Sequence, residues 1–309
     1  MGHILLQTSV LILCGAGWRL LKPGGLPVEQ IKASLMALVF YLLLPALVLS
    51  VLWTTPLNST SWKISLISTS CVLLALAAGW LFTRAIKLDK KRAGALIIAG
   101  AFPNITYLGL PLLESTFGEW ARAVAIQFDV FSCTPLILTV GVWVAHQHGR
   151  EDQADHSTAP PLWKVPAIWA AIVALYLNIE TVAAASWLPG LLEMLSAGVT
   201  PLMLIALGMS LKWDSFRKNN ALLMLPVLLL KLVLMPIVGA GFALALGLSG
   251  ELLVACVLET AMPCMVIGLV LCEQFNLDTA FYAMSVTVST LASLVTLPLW
   301  YSLLTTYIS

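Results

Sequence analysis

Three ionisable residues lie deep inside apolar stretches of this 309-residue sequence: Asp129, Lys231 and Glu259. At the centre of a membrane helix each would cost about 2.5–3.5 kcal/mol on insertion scales, so such residues usually pair or line a water-filled cavity. Pairing of Glu259 with Lys231 would let both charges persist, and protonating Glu259 or Asp129 would change that balance. We interpret the three as candidate residues for proton coupling. A static ion pair that only fixes helix register is the alternative.

Two prolines, Pro103 and Pro263, lie 160 residues apart in similar surroundings, Ala-Phe-Pro-Asn and Ala-Met-Pro-Cys. Proline inside a helix removes one hydrogen bond and clashes with the preceding turn. If both helices break at mid-membrane, they would meet and cross, and the restarted half-helices would point partial positive ends at one place. Anions bind such ends readily. Simple proline kinks are the alternative interpretation.

Residues around the two prolines form the predicted substrate site. Asn104 is the first candidate, because its amide can cap the restarted half-helix or donate to a carboxylate. Hydroxyl groups would add donors, and the sulfur-containing side chains would shape the wall. The predicted substrate-binding set is Asn104, Pro103, Thr106, Tyr107, Thr260, Met262, Pro263 and Cys264.

The elements that must position these residues are membrane helices. The sequence is 60% hydrophobic and 10% charged, too apolar for a soluble fold of this length. A bilayer core of ~30 Å needs ~20 apolar residues as helix. Ten such runs are present, at residues 3–21, 27–53, 62–83, 93–116, 121–145, 164–183, 188–211, 221–246, 251–272 and 278–304.

Lys and Arg residues orient these helices. Loops on one side hold twelve of them and loops on the other side hold two. The positive-inside rule therefore predicts a multi-pass protein of the cell membrane, the inner membrane if bacterial, with both termini outside the cytoplasm. The net charge of +1 gives no reason to expect a nucleic-acid partner.

The chain reads as two five-helix units, residues 1–145 and 164–309, joined by a cytoplasmic linker at 146–163. The second and seventh runs agree as the prolines do: both open with Leu-Pro and close with Ser-x-x-Trp. Because five is an odd number, the second unit must enter the membrane inverted. Inverted repeats with broken helices, here the fourth and ninth, are typical of secondary transporters.

The segment from Ala101 to Pro111 resembles the fourth-helix motif of the auxin efflux carrier family. Segments 259–263 and 273–275 resemble its ninth helix, and 206–211 the end of its seventh. The short central loop resembles that of bacterial-type members. The resemblance implies a fold related to bile-acid and sodium symporters. Helices one, two, six and seven would form a scaffold that dimerises, and the other helices a mobile transport domain. It also implies carboxylate substrates such as malonate, malate or auxin.

The predicted function is secondary transport of a small organic anion, a carboxylate or an auxin-like acid, by elevator-type alternating access with proton coupling. Sodium coupling on the same fold is the first alternative, and a receptor, a sensor or a channel is less favoured. No cofactor and no metal site are expected, because the six cysteines are scattered and the histidines lack ligand spacing. No enzyme is expected either, since no nucleophile–base pair, metal motif or carboxylate pair is present.

Overall fold

The structure is a computed structural model that describes residues 2–55, 59–149, 164–211 and 221–307. In these ranges the protein is all-helical, and the β-type pairing is limited to one isolated bridge between Pro103 and Cys264. In chain order the helices are α1 (Gly2–Leu21), α2 (Val28–Thr54), α3 (Ser59–Ala85), α4 (Lys90–Ala101), α5 (Leu110–Phe117), α6 (Ala121–His148), α7 (Pro166–Ile179), α8 (Leu188–Ser210), α9 (Leu222–Ala245), α10 (Gly250–Thr260), α11 (Gly268–Gln274) and α12 (Thr279–Tyr307).

Six of these helices are long and apolar enough to cross a membrane: α2, α3, α6, α8, α9 and α12. Residues 9–21 of α1 and the whole of α7 form shorter apolar helices. Large apolar side chains such as Leu21, Leu222 and Leu299 are more than half exposed on the outer surface. Such a surface is stable in lipid, so the chain is a multi-pass integral membrane protein.

Helices α4 and α10 end where the sequence predicts breaks. α4 ends at Ala101 and α10 at Thr260, and the chain leaves helical geometry at each proline. The two open segments then pair with each other. The Asn104 N–H donates to the Pro263 carbonyl at 2.8 Å, and the Met265 N–H donates to the Phe102 carbonyl at 3.0 Å. This pairing satisfies backbone groups that would be costly to leave bare inside a membrane.

Four helices contain a wider π-helical turn that ends two residues before a proline. The turns are Val39–Leu43, Ile105–Gly109, Asp129–Cys133 and Leu230–Leu234. The prolines that follow are Pro45, Pro111, Pro135 and Pro236. A proline leaves one upstream carbonyl without its usual donor, and the widened turn takes up the irregularity. These prolines therefore set where the helices bulge.

The helices pack as two groups. α1 crosses α8 closely, because Gly15 meets the Ile205 backbone and Gly208 meets the Ile12 backbone, where a Cβ atom would overlap. α7 packs along the second half of α2, and α8 also contacts α2. In the other group α3 packs on α4, α9 on α10, and α12 on both α4 and α10. Small residues at such crossings are a common packing device in membranes.

One predicted helix limit needs revision. The sixth run was expected to be helical to Ala183, but α7 ends at Ile179, because Thr181 has a left-handed φ of 49° that closes a turn. The predicted linker at 146–163 is partly helical, since α6 continues to His148, and residues 150–163 lie outside the described residues. The remaining helices begin and end within a few residues of the predicted limits.

Candidate functional site

The side chain of Asn104 lies at the crossing of the two open segments and is fully buried. Neither its amide oxygen nor its amide nitrogen has a hydrogen-bond partner. Of the two roles considered from sequence for this amide, capping of the restarted half-helix is not found. It is the main-chain oxygen of Asn104 that accepts, from the N–H groups of Leu108 (3.3 Å) and Gly109 (3.1 Å). The amide therefore keeps its donors and acceptor for another partner, since leaving them unpaired costs about 1–3 kcal/mol.

Lys231, on a π-helical turn of α9, is 1% exposed. Its Nζ donates to the Ala101 carbonyl at 3.0 Å. Ala101 is the last residue of α4, where the helix dipole leaves partial negative charge. The ammonium group thus supplies a donor to a carbonyl left without a helical N–H when α4 ends at Ala101, and it stabilises the end of the first broken helix.

Glu259, in the last turn of α10, is fully buried, and neither carboxyl oxygen has a hydrogen-bond partner. The pairing with Lys231 considered from sequence is therefore not found: no ion pair joins the two. The carboxyl group packs instead against Gly109 of the first broken helix, where a Cβ atom would overlap it. A glycine at 109 is what lets this acidic group fit beside the restarted segment.

Asp129, also on a π-helical turn, binds two hydroxyl groups. Its Oδ1 accepts from Thr134 Oγ1 at 3.0 Å, and its Oδ2 accepts from Thr106 Oγ1. Thr106 belongs to the segment that restarts after Asn104, so the Asp129 carboxylate ties α6 to the first crossing. The side chain is 8% exposed, and the residual exposure faces a cavity.

This cavity, of about 40 Å³, lies between the first broken helix, α6 and three helices of the other packing group, α2, α7 and α8. Of the predicted site residues, it is lined by Thr106, Tyr107 and Asp129. Apart from Thr134, its other walls are apolar, including Val39, Met203 and Ile267. The space is large enough for water and too small for an organic anion, which needs several hundred cubic ångströms. A substrate would enter only if the two groups of helices separate.

The remaining predicted residues are buried around the crossing but do not line the cavity: Pro103, Thr260, Met262, Pro263 and Cys264. The Thr260 hydroxyl donates to the Val257 carbonyl of its own helix at 2.7 Å. The Cys264 N–H donates to Ser289 Oγ at 3.1 Å. These residues form the structure of the crossing in this conformation. Its polar side chains are Asn104, Glu259 and Asp129, the last with its bound hydroxyl groups.

Nearly the whole chain matches a known family: residues 5–301 fit the model described as membrane transport protein. The chain belongs to this membrane transport protein family. It is the auxin efflux carrier family that the motifs at Pro103 and Pro263 indicate.

Relatives of this membrane transport protein come from archaea and bacteria. An uncharacterized transporter of Methanothermobacter thermautotrophicus is 29% identical over 306 residues, 97% of this chain and 98% of the relative. One from Methanocaldococcus jannaschii is 25% identical over 301 residues, 94% of this chain and 95% of the relative. The uncharacterized transporter YfdV of Escherichia coli K12 is 27% identical over 211 residues, 66% of this chain and 65% of the relative. The family is one of transporters and not of enzymes.

A second region of this membrane transport protein was not found from sequence. Arg122, at the start of α6, binds Glu114 and lies 3.8 Å from Glu119. Thr200 on α8 donates to Glu114 Oε2 at 3.0 Å. Arg122 and Glu119 line an open vestibule of about 850 Å³ whose other walls come from α2, α7 and α8. The Glu114–Thr200 bond thus joins the two groups of helices beside this vestibule.

Hydroxyl residues that support the crossing were also missed. Tyr282 Oη donates to the Met265 carbonyl at 2.8 Å, and Ser289 holds Cys264 as above. Both are on α12, where buried Ser285, Ser289 and Ser293 recur every fourth residue. That spacing was the available signal, since it marks one polar stripe on an apolar helix. Among the described residues, no three His, Cys, Asp or Glu side chains group as a metal site.

Proposed function

We propose that this protein is a secondary active transporter of a small organic anion, a carboxylate or an auxin-like acid, working by elevator-type alternating access with proton coupling. The observation that carries the proposal is the paired crossing at Pro103 and Pro263, with a buried, unpartnered Asn104 amide in it. Broken helices that meet and leave polar groups free are the usual substrate-binding device of secondary transporters.

The architecture proposed is ten membrane-crossing segments. Six helices qualify by length, α1 and α7 are shorter apolar helices, and α4–α5 and α10–α11 each form one interrupted segment. We assign residues 1–145 and 164–309 to the two inverted repeats, joined by the linker at 146–163. The antiparallel sense of the Pro103–Cys264 bridge supports this, because equivalent segments of inverted repeats run in opposite directions where they meet.

The two packing groups would be the two moving parts. α1, α2, α7 and α8 would be the scaffold, through which we expect a homodimer, and α3–α6 with α9–α12 would be the transport domain. The cavity with Thr106 and Asp129 lies between them. In this arrangement, sliding of one part against the other would open that cavity to each side in turn.

An anion suits the polar groups at the crossing. The Lys231 ammonium holds α4 in place and adds positive charge, and Asn104 offers two N–H donors to a carboxylate. Glu259 has no counter-charge in contact, so a proton is the simplest way to keep its carboxyl group neutral while the site is closed. Release of this proton when water reaches the site would couple transport to a proton gradient.

Sodium coupling is the second candidate, and the Asp129 cluster favours it. Three oxygen-bearing side chains, Asp129, Thr106 and Thr134, meet at the edge of the cavity. Hard cations prefer such oxygen ligands. In this version Asp129 would hold the ion beside the anion. A receptor or sensor without transport would bind the anion and show no flux.

The test is uptake by purified protein in liposomes, with labelled malonate and indole-3-acetate as probes. Uptake should rise with an inward proton gradient and stay unchanged by an inward sodium gradient. Glu259→Gln should abolish the response to the proton gradient. The matched control is Glu251→Gln, which neutralises an exposed carboxylate eight residues earlier, at the start of the same helix, and should respond as the wild type does.

The outcomes separate the candidates. A response to sodium alone, lost in Asp129→Asn, would replace proton coupling by sodium coupling. Specific binding of either probe without flux would contradict transport. Unchanged proton-driven uptake in both Glu259→Gln and Asp129→Asn would remove these residues from the coupling mechanism.

A further inference from the structure

A groove of about 680 Å³, whose lining includes no residue of the two interruptions, lies between the end of α3, the start of α4 and the end of α6. We refer to it as the basic groove. One end is polar and cationic and the other is apolar. Its polar end is formed by Thr83, Arg84, Lys87, Lys90, Gln147 and His148. Its apolar part includes Trp80, Ile97, Val140 and Trp143.

Among the described residues, the cations of the basic groove have no ion-pair partner. Arg84, Lys87 and Lys90 take part in none of the ion pairs found among the described residues. Of the nearby acids, Asp278 is paired with Arg92 Nε at 3.0 Å, and Asp89 is an exposed carboxylate that caps α4 by accepting from the backbone N–H of Arg92 at 3.5 Å. Within the described part of the chain, the groove therefore presents three cations without an ion-pair partner, against the single exposed carboxylate of Asp89.

Local structure holds these charges at the rim. The Arg84 guanidinium stacks over the Trp80 ring at 4.6 Å, a cation–π contact that limits its motion. α3 ends in a turn in which Lys87 has a left-handed φ of 52° and its N–H donates to the Arg84 carbonyl at 3.1 Å. Lys90 then opens α4. The three cations therefore surround one helix–helix connection.

The apolar part of the groove continues onto the lateral surface of the protein. Trp143 is 59% exposed, and Leu81 beside the groove on α3 is 60% exposed. Tryptophan at a helix end next to basic residues is typical of the level where lipid headgroups meet acyl chains. A soluble anion would use only the cationic end. The combination of unmatched cations with an adjoining exposed apolar channel matches a molecule that has a phosphate and a hydrocarbon chain.

We infer that the basic groove binds an anionic phospholipid, with the phosphate between Arg84, Lys87 and Lys90 and an acyl chain along Ile97, Val140 and Trp143. Basic pockets between membrane helices commonly hold acidic headgroups. The bound lipid would join α3, α4 and α6 at this end, independently of what the crossing carries. This inference does not depend on the transport mechanism.

The test is native mass spectrometry of the purified protein in detergent with phosphatidylglycerol and with phosphatidylcholine of the same acyl chains. One phosphatidylglycerol should bind at least about ten-fold more tightly than phosphatidylcholine. Lys87→Gln combined with Lys90→Gln should weaken phosphatidylglycerol binding by about 30-fold, roughly five-fold for each cation removed. The matched control, Lys22→Gln with Lys63→Gln, removes two lysines outside the groove and should change binding by less than about two-fold.

Three results would overturn the inference. They are equal binding of the two lipids, equal loss in the groove variant and the control, or full displacement of the lipid by glycerol 3-phosphate at the same concentration. The last would show an anion site that has no use for acyl chains. Trp143→Ser adds a separate check: it should weaken binding of phosphatidylglycerol several-fold without changing the charge. Melting temperatures of all variants confirm that each is folded.

Discussion

The first interruption, residues 102–104, covers three residues, and the second, residues 261–267, covers seven. The first restarts at once in a π-helical turn that brings Thr106 and Tyr107 to the cavity. The second is fixed from outside by α12, through Ser289 and Tyr282. Similar Ala-x-Pro-x motifs thus build two different ends of one crossing. The first carries the unpartnered Asn104 amide, and the second is anchored by α12.

The sharpest test of this difference truncates the residue that follows each proline, in two separate variants. Asn104→Ala should lower the initial transport rate in liposomes by about 10- to 100-fold, the loss of one hydrogen bond to a charged group. Cys264→Ala at the equivalent position should keep the rate within about three-fold, because a thiol is a weak donor. Equal losses in the two variants would mean that the crossing acts symmetrically.

The two helix breaks could be predicted from the sequence, because the missing N–H of proline is a purely local property. The partners of the buried charged groups could not be predicted in the same way. Lys231 binds the Ala101 carbonyl, 130 residues away, and not the opposite charge of Glu259. A pattern of charges tells which residues need partners but not which group the fold brings to them. The π-helical turns that carry Thr106, Asp129 and Lys231 fall between these cases. The prolines that follow these turns are visible in the sequence. Interpreting them as simple kinks does not predict the π-helical turn.

The second comparison is between Gly109, after the first interruption, and Gly268, after the second. A Cβ at Gly109 would overlap the Glu259 carboxyl group, and a Cβ at Gly268 would overlap Tyr282 Oη. Gly109→Ala should abolish proton-driven uptake by displacing Glu259, whereas Gly268→Ala should loosen the anchor and lower the free energy of unfolding by about 1–3 kcal/mol with uptake retained. Thermal unfolding and uptake are measured on both. Gly17→Ala, where a Cβ meets nothing within 4 Å, is the control. Uptake that is lost in Gly268→Ala and retained in Gly109→Ala would contradict this division of roles.

The carbonyl caps allow a third comparison. Lys231→Met leaves the Ala101 carbonyl without its charged donor, and Tyr282→Phe leaves the Met265 carbonyl without a neutral one. The lysine change removes a charge-assisted bond and should cost about 1.5–3 kcal/mol, against about 0.5–1.5 kcal/mol for the tyrosine change. Denaturation in detergent measures both. A smaller loss for Lys231→Met would mean that desolvating the ammonium group offsets the bond it makes.

Ser289→Ala is expected to have the smallest effect, because it removes the acceptor of a single N–H bond, the one from Cys264. The hydroxyl also donates to the Val286 carbonyl of its own helix at 3.3 Å, a carbonyl of α12 that loses little when the hydroxyl is gone. We expect a loss of about 0.5–1.5 kcal/mol in unfolding free energy and unchanged uptake. Ser302→Ala, at an exposed position further along α12, serves as the control. Uptake that falls in Ser289→Ala as much as in Asn104→Ala would show that the second segment must be held as tightly as the first for transport, and the anchored end would then belong to the working site.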